Sequence, residues 1–132
     1  MSLNHAVIWI DHVEAHVMHM DGGASESEII KTKSTHPHLH HKMGEIGSGK
    51  VAFDAKYFES VINAVKDAKE ILILGPGLAK VELTKYAHRH AAEVAEGIVG
   101  IETVDHPTDR QILAFARKFF YKIDRILEDP SI

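Results

Sequence analysis

The sequence predicts one α/β domain built on a five-stranded mixed sheet with three helices. Three observations carry that expectation. The chain opens with three strand-like segments joined by short turns, and a run of that kind pairs antiparallel. After residue 54, helical and strand patterns alternate, which marks crossover units and parallel strands. The 132 residues are 45% apolar and 26% charged, which suits an ordinary core in a single domain spanning residues 1–132.

Taken in order, residues 6–10 (Ala-Val-Ile-Trp-Ile) are apolar, largely β-branched and aromatic, and read as a buried strand. A short polar connection through Asp11 leads to a second, antiparallel strand at 15–20. Asp21-Gly22-Gly23 is a turn signal, and residues 28–34 read as a third strand with partial alternation. Residues 36–50 show neither period and are long for a connection in a compact domain. Asp54 is placed to cap a helix running to about residue 69, with Phe58, Val61, Ile62 and Val65 on one face. Residues 71–74 form a short apolar strand. Gly75-Pro76-Gly77 turns the chain into a helix over 78–96, closed by Gly97. Residues 98–104 are the fifth strand. Thr108 and Gln111 then have capping-box spacing for a helix over 109–127, whose expected apolar face is Ile112, Phe115, Ala116, Phe119, Ile123 and Ile126. The simplest packing of these elements is two layers.

Composition narrows the function. With no cysteine, disulfide frameworks and thiolate zinc sites are excluded, and a reducing, cytoplasmic setting fits. No apolar run approaches the ~20 residues that span a bilayer, and no signal peptide is visible at the N-terminus. A soluble protein without membrane attachment is expected. The net charge of −4 argues against a surface that is basic throughout, so any nucleic-acid contact must rest on a local patch. The 11 histidines make the charge sensitive to mildly acidic pH.

The irregular segment carries two candidate chemistries. His36, His38 and His40 alternate, so in an extended chain they point the same way. With His41 as a fourth ligand they can hold zinc, nickel or copper, which leads to a metal-binding protein or metal-dependent hydrolase. The alternative is a solvated loop that tolerates histidines. Lys31, Lys33, Lys42 and Lys50 join these histidines in a local basic stretch, suited to phosphate contacts.

Other motifs are weaker. Residues 44–51 nearly spell a P-loop, but Val51 stands where the magnesium-binding hydroxyl belongs, so the motif is incomplete. Gly75-Pro76-Gly77 leads into a helix N-terminus with Lys80 one turn on, a candidate anion site set against a purely structural turn. Asp11, Glu102 and Asp105, with Glu59 as a helper, raise a two-metal nuclease, for which the acid set is incomplete. His12, His16 and His19 read as surface or boundary residues. Phe119, Phe120 and Tyr121 are more aromatic surface than one helix face needs. Phe120 or Tyr121 is therefore expected to be partly exposed or to lie in a homo-oligomer interface.

The strands at 6–10, 15–20 and 28–34, the Gly- and Lys-containing loop, Ile71-Leu72-Ile73-Leu74-Gly75-Pro76-Gly77 with Lys80 in the next helix, and the strand at 98–104 together resemble a known family. It is the middle domain of archaeal and eukaryotic class 1 peptide-chain release factors and of the ribosome-rescue factor Pelota, grouped as translational machinery components. The resemblance covers nearly the whole chain and implies a ribonuclease-H-like fold. Release factors of this family carry Gly-Gly-Gln in the loop corresponding to 36–50. That loop has Gly44, Gly47 and Gly49 but no Gly-Gly pair, and the only glutamine in the chain is Gln111. Hydrolytic release therefore does not carry over. The resemblance implies a release-inactive, translation-associated binding domain and supplies no partner. Joined to the basic stretch, it leads to the expectation of a non-catalytic module that contacts ribosome or RNA through the 36–50 loop and Lys80, with a metal-binding protein or metal-dependent hydrolase as the alternative. The flanking domains of full release factors do not fit within 132 residues.

Overall fold

The computed structural model describes residues 5–21, 24–32 and 55–128. The elements are β1 (His5–Ile10), β2 (Glu14–Asp21), β3 (Ala24–Lys31), α1 (Ala55–Ala64), β4 (Glu70–Gly75), α2 (Ala79–His90), α3 (Ala92–Glu96), β5 (Ile98–Thr103) and α4 (Asp109–Glu128). The strands form one sheet in the order β3-β2-β1-β4-β5. The β1–β2 and β2–β3 pairs are antiparallel, and the β1–β4 and β4–β5 pairs are parallel. An antiparallel meander extended by two parallel strands beside β1 is the ribonuclease-H-like arrangement that the sequence resembles.

The packing corrects one expectation. Helices cover both faces of the sheet, so there are three layers rather than two. Ala6, Ile8, Ile10, Ile71 and Ile73 pack with α1, α2 and α3. The alternate positions Val7, Trp9, Leu72 and Leu74 pack under α4 with Met18 and Met20. The reason lies in the strands themselves. Positions 6–10 and 71–74 are apolar without interruption and almost wholly buried, and a strand of that kind needs cover on both sides. Each fully buried Ile or Leu contributes about 1.5–3 kcal/mol, which makes β1 and β4 the centre of the fold.

The helix count is four rather than three. The expected helix over 78–96 breaks at Ala91, whose backbone leaves the helical region at φ −150°, ψ 64°. A straight 19-residue helix would run about 28 Å, longer than the roughly 20 Å of a six-residue strand. The break turns the chain back over the sheet and keeps Val94 and Ala95 buried in the core. The third strand also differs: it occupies Ala24–Lys31, not 28–34. Residues 25–29 are all exposed, as an edge strand allows, so they carry no apolar alternation to announce them. The first helix ends at Ala64, ahead of the expected 69, and its proposed cap, Asp54, lies outside the described residues.

The capping box forms as expected. The Thr108 N–H donates to Gln111 Oε1 at 2.9 Å, and the Gln111 N–H donates to Thr108 Oγ1 at 3.1 Å. The buried stripe of α4 is Ile112, Ala116 and Phe120. Phe119, placed in the expected stripe, is only half-buried, and Tyr121 is 63% exposed. Among the described residues no helix is long and apolar enough to cross a membrane.

Candidate functional site

The C-terminal edge of the parallel strands gathers the polar residues that the sequence singles out. β1 ends there at Asp11, β4 at Gly75-Pro76-Gly77, and β5 before Val104. β3 runs in the same direction as β1 and ends at that edge with Lys31, opposite Glu14. Lys31 is exposed.

A tight hairpin organises the edge. Asp11 Oδ1 accepts the N–H groups of Val13 at 2.8 Å and Glu14 at 2.9 Å, and the Asp11 N–H donates to Glu14 O at 3.0 Å. A short carboxylate that bonds the backbone two and three residues on is a turn former. The same hairpin holds both ends of the connection between β3 and α1. The Thr32 N–H donates to Val13 O at 2.9 Å, and Tyr57 Oη, in the first turn of α1, donates to Asp11 O at 3.0 Å. The connection itself, with Lys33, Lys42, Lys50, His36, His38, His40 and His41, lies outside the described residues, as does the incomplete P-loop.

Trp9 is the buried floor beneath this edge. Its indole N–H donates to Asp105 O at 2.8 Å. His16, its cross-strand partner, stands edge-on to the ring at 5.6 Å, and His106 lies against it at 4.9 Å. His16 Nε2 meets Glu14 Oε2 and Nδ1 meets Asp109 Oδ1, both at 2.7 Å. Burial pulls the His16 pKa down, but hydrogen bonds to Glu14 and Asp109, together with their charges, outweigh it. The net effect is a pKa above the ordinary 6.5. The exposed His106 pairs with Asp105 at 3.0 Å and approaches Asp11 Oδ2 at 3.6 Å.

The carboxylates weighed for a nuclease do not assemble. Asp11 is engaged in its turn, Glu59 and Glu102 are exposed, and Asp105 sits beside His106. Lys80 is buried, and its ammonium donates to Gly77 O at 2.6 Å, within the glycine turn. Gly75 is required by packing, because a Cβ there would run into the Ile10 carbonyl oxygen.

Sequence reasoning missed one group entirely. His5, Glu70 and Asp124 place one ligand atom each within 4.8 Å of one another, at the opposite, N-terminal edge of β1 and β4. It is the one grouping among the described residues that meets that criterion. Burial, then a hydrogen bond with the Asp124 carboxyl and its charge, push the Glu70 carboxyl up, and His5 only partly offsets this. The parallel register sets His5 beside Glu70, but the strands expected at 6–10 and 71–74 contain neither residue, and no local period announces the arrival of Asp124.

The chain matches no family model and no curated protein. It is similar to solved structures. Pelota from Thermoplasma acidophilum aligns with a TM-score of 0.57 at 17% identity over 84% of this chain. Pelota from Archaeoglobus fulgidus gives 0.57 at 16% identity over 96%. The archaeal translation termination factor aRF1 gives 0.55 at 14% identity over 96%. The chain spans 31%, 39% and 41% of those proteins respectively. The fold that the sequence resembles is thus the fold shared with part of Pelota and aRF1.

Proposed function

We propose that this domain is a non-catalytic, translation-associated module that contacts ribosome or RNA through the connection at residues 36–50. One observation carries the reading. A domain sharing the fold of part of Pelota and aRF1 moors both ends of its lysine- and histidine-rich connection to the same hairpin at the C-terminal sheet edge. Lys31 lies at the foot of that connection, and Lys33, Lys42 and Lys50 lie within it. Together they supply positive charge for phosphate oxygens, whose affinity is salt-sensitive and independent of sequence. Lys80 adds to the local field rather than making a contact, because its ammonium is held on Gly77 O. The chain has no Gly-Gly-Gln, so binding rather than peptidyl-tRNA hydrolysis is the proposed activity.

The test is co-sedimentation with purified ribosomes at low salt. Retention is expected for the full chain, lost at high salt, and reduced when Lys42 and Lys50 are both changed to alanine. No retention at low salt removes the reading.

A further inference from the structure

The three ligand atoms at the N-terminal edge are brought together by long-range topology. His5 opens β1 and Glu70 opens β4, and the parallel register pairs them directly. α4 crosses the same face and delivers Asp124 from late in its length. His5 Nε2 lies 3.0 Å from Glu70 Oε1 and 3.1 Å from Asp124 Oδ2. The His5 ring packs against Phe120 at 4.5 Å, and Phe120 is itself buried in the α4 stripe, so the imidazole has a wall that fixes its plane. Glu70 Oε1 is buried and accepts no hydrogen bond among the described residues, despite its closeness to His5. A buried carboxylate oxygen left without a donor costs free energy unless something else satisfies it.

We propose that His5, Glu70 and Asp124 form a binding site for one first-row divalent cation, of the zinc or manganese kind. The spacing supports this. Ligand atoms bonded at about 2.0–2.2 Å to one ion stand about 2.8–3.1 Å apart at adjacent octahedral positions and about 3.3–3.6 Å apart at tetrahedral ones, and the two contacts of the imidazole nitrogen, 3.0 and 3.1 Å, fall in the octahedral range. The donor set, one imidazole with two carboxylates and no thiolate, combines the ligand types that suit zinc with those that suit manganese. A cation at their centre gives Glu70 Oε1, which has only the poorly aligned His5 nitrogen at 3.0 Å, a full partner, and it offsets the charge of both carboxyls. Three protein ligands leave further positions for water. The site uses no residue of the 36–50 connection, so it goes beyond the proposed function and stands or falls separately from it.

The test uses the full chain without an affinity tag, with His36, His38, His40 and His41 changed to asparagine to remove competing imidazoles. Zinc is titrated by equilibrium dialysis, and manganese by electron paramagnetic resonance. One saturable ion per chain is expected, with affinity falling more than about tenfold in Glu70→Gln and again in Asp124→Asn. Both substitutions keep side-chain shape, and circular dichroism confirms folding before metal is added. As a readout independent of the variants, substoichiometric manganese broadens the His5 ring signals first, and those of His16 and His106, at the far edge, last. Absence of saturable uptake up to about 1 mM, or uptake unchanged in both variants, means that His5 merely bridges the two carboxylates and overturns the proposal.

Discussion

The carbonyl oxygen of Ile10 fills the space that a side chain at Gly75 would need. β1 and β4 approach so closely at that edge because they are paired parallel strands at the centre of the sheet, and the obstacle is backbone, which cannot rotate aside. Gly75→Ala is therefore expected to destabilise the domain by about 2–3 kcal/mol. Gly77→Ala, two residues on, meets nothing within 4 Å and serves as the control, at less than about 1 kcal/mol. Urea unfolding followed by circular dichroism measures both. Equal effects would show that the turn is under no packing constraint.

The His16 imidazole, held between Glu14 and Asp109, predicts a pH dependence. Its folded-state pKa lies above the ordinary 6.5, so the folded protein binds the proton more tightly than the unfolded chain. The stabilisation from this pair of contacts is complete below about pH 6.5 and is lost as pH rises through the folded-state value. His16→Gln should cost most near pH 6 and least near pH 9, with a span of about 1 kcal/mol or less given the half-exposed Asp109. An NMR titration of the His16 ring with a midpoint at or below 6.5 would contradict this.

Asp11 is expected to matter for stability through its turn. Asp11→Ala leaves two hairpin N–H groups without their acceptor and should cost about 1–2 kcal/mol. Asp11→Asn keeps an acceptor oxygen and should cost less. Thermal unfolding separates the two, and an alanine variant as stable as the parent would remove the role assigned to this carboxylate.

Lys80→Met retains most of the buried stem and removes the ammonium that donates to Gly77 O. A loss of about 1–2 kcal/mol is expected because the Gly77 carbonyl oxygen is left without its donor. Hydrogen exchange should quicken in the first turn of α2 before the rest of the sheet responds. Uniform quickening across the sheet would place the role of Lys80 elsewhere.

What the sequence makes legible is what lies close along the chain or repeats with a short period. The Thr108–Gln111 capping box spans three residues and forms as read. The antiparallel meander follows from the short turns, and the parallel setting of the last two strands from the helices that precede them. The unbroken apolar runs of β1 and β4 already imply cover on both faces, although a two-layer packing is the simpler expectation. The break at Ala91 is not signalled by any glycine or proline; it follows from the length of the strands beneath. The partners of the histidines are least legible. His16 meets Asp109 across 93 residues and His5 meets Asp124 across 119, and no local period reports such encounters. β3 escaped its true bounds because an exposed edge strand built of Ser25, Glu26, Ser27 and Glu28 lacks an apolar side.

Thr32 and Tyr57 tether to one hairpin, and this makes the intervening connection exchangeable. Thr32 and Tyr57 are each held by a hydrogen bond to that hairpin, and doubling the length of a flexible bridge between two fixed ends adds only about 0.6 kcal/mol of closure entropy. A graft placed between Thr32 and Tyr57 is therefore the change of length that asks least of the five strands.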